Sequence, residues 1–184
     1  VAIRGDRIAA IGSLAGVPAA QRVDAHGLAV SPGFINMLSW STESLIEDGH
    51  SQSDIRQGVT LEVMGEGESM GPLNETMRAE MIRQQSYIHY DPTWTTLAEY
   101  LDHLVARGVS TNVASYVGAT TIRDHEIGYA DRPPTPEELA RMARGGNPAA
   151  QAELAWRHAT ATPSNPEQAI AWALKSAEAD CTEG

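Results

Sequence analysis

Apolar residues alternate with polar ones at the start of the chain. In "VAIRGDRIAAIG", Val1 and Ile3 precede a Gly-Asp turn, and Ile8 and Ile11 follow it. This pattern is typical of a β-hairpin. The stretch "GLAVSPG", which follows the turn-like "DAHG", predicts a further short strand.

The pattern then changes to strands separated by helices. "PGFINML" is an apolar run of strand length, and "SDIRQGVTLEVMG" joins a short helical stretch ending near Gly58 to the strand "VTLEVM". The β-branched run "NVASYVGATTI" predicts another strand. Strand, helix and strand in this order indicate a parallel βαβ unit.

Two longer helices are predicted between these last two strands. One extends from Asn74 to about Gln85 and precedes a loop, and the insert is expected over one end of the sheet. The other is "TTLAEYLDHLVARGV", with Thr95 or Thr96 before it and Gly108 after it as caps. Its predicted apolar face consists of Leu97, Tyr100, Leu101, Leu104 and Val105.

The last part of the chain is helical by pattern. In "DRPPTPEELARM", Thr135, Pro136 and Glu138 form a capping-box arrangement, so a helix is predicted to begin near Pro136. The interruption "RGGNP" places a boundary at about 143–147. The Ala-rich stretch that follows predicts two helices joined by "TPSNP".

Composition excludes several classes of function. The chain has 184 residues with 42% hydrophobic and 20% charged side chains, which fits a soluble globular protein, and no apolar run is long enough to span a bilayer. With 24 acidic against 13 basic side chains, the net charge of -11 would repel phosphate backbones. Neither a membrane span nor a nucleic-acid partner is expected.

Five stretches occur in an order that resembles one known family. They are "IRGDRIAAIG", "VDAHGLAVSPGFI", "QGVTLEVMGEG", "NVASYVGATTIR" and "DRPPTPEELARM", and together they span residues 1 to about 142. They resemble the N-terminal part of the amidohydrolase superfamily, in the branch of the N-acyl-D-amino-acid deacylases, or D-aminoacylases.

This resemblance implies an α/β fold with a metal-dependent hydrolase barrel. Residues 1–31 would be β-sandwich strands, 32–143 the N-terminal part of a (β/α) barrel, and 147–180 an α-helical hairpin outside it. A barrel usually needs about 250 residues, so the barrel is expected to be incomplete in this chain. In the family, zinc activates water to attack the amide of an N-acyl amino acid.

The family's first pair of metal ligands has no counterpart here. Its first barrel strand ends in Asp-x-His-x-His, and the aligned residues are Asn36, Leu38 and Trp40. Leu38 and Trp40 therefore replace the histidines, and neither can ligate zinc. We expect their side chains to fill the volume of the ion, and zinc to be absent or altered in this chain.

The family's thiolate ligand is also missing. Where the deacylases have Gly-Asn-Cys-Gly, this chain reads "GEGES", with Gly67 at the cysteine position. Glu66 and Glu68 flank it, and a carboxylate could take the ligand place after a shift of one residue. The alternative is a solvated acidic loop.

Three further residues are candidates for the site. Arg123 could bind a substrate carboxylate in a bidentate manner, or it could pair with the nearby Asp124 and Glu126. His50 follows the first barrel strand among acidic residues and is a weak metal candidate. His125 is predicted in a loop after the third strand, where it could act as an acid or base.

The C-terminal stretch resembles a single Sel1-like repeat, in which Ala150, Leu154, Ala155, Ala169, Trp172, Ala173 and Ala177 would form the facing surfaces. Two functions follow as expectations. The chain is related to deacylases but is a fragment or inactive by itself, or it is a non-catalytic protein whose hairpin binds a protein partner. A third possibility is that the incomplete barrel does not fold stably because its sheet edges stay open.

Overall fold

The computed structural model describes residues 1–181, and for 148, 149 and 178–181 it describes the backbone only. The chain divides into two compact units, Val1–Gly33 and the residues from Phe34 onward. Each unit is described by itself below.

The first unit contains the predicted hairpin. Strands β1 (Ala2–Arg4) and β2 (Arg7–Ala10) pair antiparallel, and Gly5 adopts a positive φ of 62° in the turn between them. The strand predicted for "GLAVSPG" is wrong, because residues 27–33 are described without any strand. Among the described residues this segment pairs with no strand, and Leu28 and Val30 are 77% and 61% exposed.

The second unit is built on a parallel sheet. Strands β3 (Phe34–Asn36), β4 (Val59–Met64) and β5 (Asn112–Ser115) lie in the order β3-β4-β5, and both pairs are parallel. The predicted βαβ arrangement is therefore confirmed. Within the described residues the sheet is open, with three strands and no closed barrel.

Helices follow and connect the strands. Their bounds are α1 Ser44–Glu47, α2 Gln52–Ile55, α3 Glu75–Gln84, α4 Leu97–Arg107, α5 Ala119–Ile127, α6 Pro136–Arg144, α7 Pro148–Thr160 and α8 Pro166–Cys181. The predicted caps are confirmed at Thr96 and at Thr135, both as complete capping boxes, and the helix predicted from Asn74 begins at Glu75 with Asn74 as its N-cap. Across the described chain, no helix combines the length and apolar character needed to cross a membrane.

The third strand is shorter than its β-branched run predicts. β5 ends at Ser115, and α5 begins after Gly118 even though Thr120, Thr121 and Ile122 favour strands. Ile122 is only 4% exposed because it packs in a helical cluster. Tertiary burial therefore overrides the local preference, and His125 lies in a helix rather than in the predicted loop.

The main core lies between the sheet and α1, α3 and α4. Its buried members are Leu45, Ile46, Met64, Met70, Leu73, Met77, Trp94, Tyr100 and Leu104. The Trp94 indole donates from Nε1 to the Met70 carbonyl at 2.6 Å, and its ring lies 5.3 Å from that of Tyr100. The predicted face of α4 is confirmed at Tyr100 and Leu104 but wrong at Val105, which is 75% exposed.

A smaller cluster joins α5, α6 and α7. It consists of Ile122, Leu139, Met142, Ala143 and Ala150, with Leu154 and Trp172 packed against it. Two helices, α7 and α8, are thus present where the Ala-rich stretch predicts them. The expected facing surface is wrong at Ala173 and Ala177, which are exposed.

Candidate functional site

A cavity of about 410 Å³ opens at the carboxyl ends of the parallel strands. Parallel α/β folds place their ligand sites at this end, because the loops that leave the strands converge there. The lining residues follow β3 and β4 or come from α3, α5 and nearby loops: Leu38, Ser39, Trp40, Thr42, Glu43, Gly65, Glu66, Gly67, Glu68, Ser69, Met70, Leu73, Met77, Glu80, Met81, Gln84, Tyr90, Thr121, Asp124 and Tyr129.

The two residues predicted to replace the family's histidines, Leu38 and Trp40, lie on the cavity wall. Leu38 is 52% exposed and Trp40 is 80% exposed. The expectation that they fill the volume of an ion by packing is therefore wrong, because both side chains face open space. Burial of an indole is favourable, so a tryptophan this exposed leaves a large aromatic surface available to a ligand.

The acidic loop after β4 forms another part of the wall. Glu66 and Glu68 are exposed and flank Gly67, and within residues 1–181 neither carboxylate has a hydrogen-bond or ion-pair partner. The positive φ of 85° at Gly65 turns the chain sharply out of the strand. Among the residues that the structure describes, no three His, Cys, Asp or Glu side chains lie close enough together to hold a metal.

The remaining carboxylates of the cavity have partners. Glu43 accepts a hydrogen bond of 2.8 Å from the Tyr90 hydroxyl, and burial together with Glu43 raises the pKa of Tyr90 well above its ordinary value. Glu80 pairs with Arg83 on the same helix, and Asp124 lies 3.5 Å from the Arg123 guanidinium.

Tyr129 lines the same cavity as Asp124, Glu80 and Glu68. The pKa of Tyr129 is raised by partial burial and by the carboxylates of Asp124, Glu80 and Glu68. The hydroxyl therefore stays protonated at neutral pH and is available as a hydrogen-bond donor at the cavity wall.

A buried carboxylate beneath the cavity was missed by the sequence analysis. Glu62 in β4 is 0% exposed and accepts hydrogen bonds from Ser39 at 2.7 Å, Thr111 at 2.9 Å and Ser51 at 3.1 Å. The available signal was a lone charged residue inside the apolar strand "VTLEVM". Its position ties three separate loops to one strand, including the loop that carries Leu38 and Trp40.

Arg123 lies on α5, and its guanidinium is occupied by backbone. It donates to the carbonyls of Ala130 at 2.9 Å, Arg132 at 3.3 Å and Gly128 at 3.4 Å. It is not among the residues that line the cavity. A substrate-binding role for Arg123 remains a prediction, and these contacts favour a role in holding the loop after α5.

The two candidate histidines lie apart from the acidic loop. His50 sits in the turn between α1 and α2, where its Nδ1 is 2.7 Å from the Asp48 carboxylate. His125 lies on α5 with Nδ1 3.4 Å from Glu126. Neither lines the cavity with Glu66 and Glu68. Metal binding by His50 therefore remains a prediction, and neither Glu66 nor Glu68 lines a common cavity with it.

Similar proteins include a D-aminoacylase and two deacylases of N-acyl-D-amino acids. The chain is 36% identical over 144 residues to a D-aminoacylase of Alcaligenes xylosoxydans xylosoxydans, which covers 76% of this chain and 29% of that enzyme. It is 32% identical over 147 residues to an N-acyl-D-glutamate deacylase of the same organism, covering 78% of this chain and 29% of the enzyme. The chain thus spans less than a third of these relatives. No family model matches it.

Solved structures show the same relationship. A D-aminoacylase studied for the role of its binuclear metal center matches with a TM-score of 0.65 and 30% identity, over 80% of this chain and 32% of that one. A D-aminoacylase mutant in complex with copper chloride matches with a TM-score of 0.65 and 25% identity, over 99% of this chain and 39% of its own. Sequence and fold together support a place in the amidohydrolase superfamily.

Proposed function

We propose that this chain, a homologue of the D-aminoacylases with the fold of an amidohydrolase segment, binds an amide in the cavity at the carboxyl ends of β3, β4 and β5. We further propose that the chain alone is not a metal-dependent deacylase. The observation that carries both parts is a cavity at the expected end of the sheet whose wall includes Leu38 and Trp40, the residues that we predict to replace the family's histidine ligands.

The cavity offers suitable contacts for a neutral amide. The protonated Tyr129 hydroxyl can donate to an amide carbonyl, and exposed carboxylates such as Glu68 can accept from an amide N–H. Trp40 and the methionines of the wall provide apolar surface for the rest of the ligand. Binding of this kind requires no metal ion.

The catalytic metal of the superfamily does not fit these residues. A related D-aminoacylase has a binuclear metal center, and a bound zinc would supply activated water and polarise the carbonyl. Leucine and tryptophan side chains have no lone pair for zinc, and Gly67 has no side chain. Hydrolysis of N-acyl amino acids would therefore require ligands from residues outside this stretch.

A combined metal and activity measurement tests this proposal. The chain is purified from zinc-supplemented culture, dialysed and analysed for metal per chain by plasma mass spectrometry. Hydrolysis of N-acetyl-D-methionine, N-acetyl-D-glutamate and N-acetyl-D-aspartate is then followed by release of free amine. The Glu66→Gln, Glu68→Gln variant is compared with Glu137→Gln, Glu167→Gln, which removes the same charge at exposed sites away from the cavity.

We expect no stoichiometric metal and no turnover above the buffer rate in any of the three proteins. The proposal is contradicted if the wild-type chain binds stoichiometric zinc and hydrolyses a substrate, and if both properties are lost in the Glu66, Glu68 variant but kept in the control. That result would mean that carboxylates have replaced the missing histidines.

A second candidate function is binding of a protein partner by the C-terminal helices. The observation that favours this function is that large apolar side chains on α7 and α8 are exposed. Trp156, Ile170 and Leu174 are 63%, 61% and 58% exposed. Tryptophan is enriched among the hot spots of protein interfaces. The relationship to a Sel1-like repeat remains part of this second proposal.

Affinity capture with matched variants tests the second candidate. Trp156→Ser with Leu174→Ser is compared with Val105→Ser, since Val105 is an apolar residue on α4 that is 75% exposed, against 63% for Trp156 and 58% for Leu174. Loss of a specific captured protein in the first variant alone would support the partner function. Identical capture by both variants would count against it.

A further inference from the structure

We propose that Glu62 is a positioning residue for the cavity, and that through the Ser39 hydroxyl it holds the segment 38–40 in the place that ligand binding requires. The inference rests on the proposed amide-binding function and adds a group that controls the same site without touching the ligand. Glu62 has no exposed surface and does not line the cavity. Its effect on a ligand therefore passes through the residues that it contacts.

A carboxylate inside an apolar strand is the first observation. Burial of a charged group is unfavourable unless hydrogen bonds compensate for the lost water, and an apolar side chain would pack in such a place at lower cost. The Glu62 carboxylate instead accepts hydrogen bonds from Ser39 at 2.7 Å, from Thr111 at 2.9 Å and from Ser51 at 3.1 Å. These donors come from three separate segments, so the carboxylate organises the loops around the strand.

Only one of the three donors belongs to the cavity. Leu38, Ser39 and Trp40 line it, whereas Ser51 and Thr111 do not. The Ser39 side chain is buried against the sheet, while Leu38 and Trp40 on either side of it are mostly exposed. The hydrogen bond to Glu62 thus anchors the middle residue of the wall segment.

The segment has one further anchor at the same residue. The Ser39 N–H donates to the Val63 carbonyl at 2.9 Å, and the Ser39 hydroxyl oxygen accepts from the Ser41 N–H at 3.2 Å. The Trp40 side chain is 80% exposed, so packing contributes little to its position. Loss of the contact with Glu62 should therefore loosen this part of the wall while the backbone contact to β4 remains.

The three donors also provide matched variants. Ser39→Ala, Ser51→Ala and Thr111→Val each remove one hydroxyl from the same carboxylate, so a purely structural role of Glu62 predicts similar losses of stability and the same ligand affinity in all three. A positioning role predicts that the cavity changes only in Ser39→Ala. Ser51→Ala and Thr111→Val are therefore the control variants.

Fluorine NMR of the full chain labelled with 5-fluorotryptophan tests the inference without a ligand. The chain has four tryptophans, and Trp40→Phe assigns the Trp40 resonance. We expect this resonance to shift or broaden in Ser39→Ala and in Glu62→Leu, which removes both acceptor oxygens, and to stay unchanged in the control variants. The tryptophans of α7 and α8 serve as references. An unchanged Trp40 resonance in Ser39→Ala, or an equal change in the control variants, would overturn the inference.

Isothermal titration with N-acetyl-D-norleucinamide, a neutral amide, measures the effect on binding. We expect Ser39→Ala and Glu62→Leu each to weaken binding about threefold to tenfold, the size of effect that one net hydrogen bond gives, and the control variants to stay within about twofold of wild type. Ser39→Ala keeps the test decisive if Glu62→Leu does not fold, because it leaves the carboxylate and its two other donors in place.

The double variant Ser39→Ala, Glu62→Leu distinguishes positioning from direct contact. If Ser39 acts through Glu62, the double variant should bind the amide about as weakly as either single variant, because both changes remove the same contact. If the two losses of affinity add, Ser39 itself contacts the ligand, and the positioning role of Glu62 through Ser39 is wrong.

Failure of the proposed function would be recognised separately. If the wild-type chain does not bind N-acetyl-D-norleucinamide, the amide site is contradicted, and the fluorine spectra still decide whether Glu62 holds the segment 38–40. If the wild type binds this amide and both Ser39→Ala and Glu62→Leu bind it equally well, the amide site is retained and the positioning role is overturned.

Discussion

The Ser39 hydroxyl donates a hydrogen bond of 2.7 Å to the Glu62 carboxylate, and this contact joins a buried strand to the wall of the cavity. Ser39 stands between Leu38 and Trp40, and Glu62 lies in β4 with no exposed surface. The same carboxylate also accepts from Ser51 and Thr111. A single side chain therefore fixes the wall segment relative to the sheet.

Replacement of Glu62 should destabilise the chain. In Glu62→Gln one carboxylate oxygen becomes an amide donor that faces hydroxyl groups, so at least one buried hydrogen bond is lost at a cost of about 1–3 kcal/mol. Glu66→Gln, at an exposed site in the next loop, should change stability by less than about 0.5 kcal/mol. Urea unfolding followed by tryptophan fluorescence measures both, and equal midpoints would contradict the structural role of Glu62.

The same carboxylate predicts a pH dependence. Burial alone would raise the pKa of Glu62, but hydrogen bonds from Ser39, Ser41, Thr111 and Ser51 outweigh it and lower the pKa below 4.5. A lowered pKa in the folded state gives stability that is present above the unfolded pKa and is lost as the pH falls through the folded pKa.

The free-energy difference between wild type and Glu62→Gln should therefore be constant above about pH 5 and shrink below about pH 4.5, since protonated glutamate resembles glutamine. Urea unfolding at a series of pH values measures it. A difference that stays constant from neutral pH to pH 3 would show that folding does not lower the pKa of Glu62.

Arg123 offers a direct test of a structural against a ligand-binding role. Its guanidinium donates to Ala130 and Arg132 in the loop after α5, so Arg123→Ala should lower the free energy of unfolding by about 1–2 kcal/mol. Affinity for N-acetyl-D-norleucinamide and for the anion N-acetyl-D-norleucine should not change. A selective loss of affinity for the anion, with stability unchanged, would restore the substrate-binding role.

Much of the second unit follows from local patterns in the sequence. The caps at Asn74, Thr96 and Thr135 are recognisable because each side chain bonds a backbone N–H three residues ahead. The end of β5 is not recognisable, because Ile122 is in a helix only through its burial against α6 and α7. Long-range packing of this kind leaves no short-range signal.

The location of the candidate site could be predicted from the sequence, but the full set of residues that form it could not. Strand-end residues such as Leu38 and Glu66 follow the strand pattern, so their presence on one cavity wall is expected from the parallel sheet. The contribution of Glu80 from α3 and of Tyr129 from the loop after α5 depends on how distant elements pack over the sheet. The same is true of Ser51 and Thr111 around Glu62, which are far from Ser39 in sequence.

A pair of glycines tests whether the acidic loop depends on α5. A Cβ at Gly118 would lie 2.5 Å from the Gly67 carbonyl oxygen and 2.8 Å from the Glu68 Cα, whereas a Cβ at Gly67 would have no neighbour within 4 Å. The loop and the helix are also joined by hydrogen bonds from Thr120 to Gly67 and from Gly118 to the Ser69 hydroxyl. Backbone atoms cannot move aside as a flexible side chain can, so the Gly118→Ala methyl must displace the loop.

Gly118→Ala should therefore lower stability by about 1–3 kcal/mol and weaken N-acetyl-D-norleucinamide binding, because overpacking shifts backbone and Glu68 lies on the cavity wall. Gly67→Ala should leave stability nearly unchanged, since its methyl group enters open space. Thermal unfolding and titration with N-acetyl-D-norleucinamide measure the two effects on each variant. If both variants retain wild-type stability and affinity, the loop does not rest on α5, and ligand binding does not depend on the contact between them.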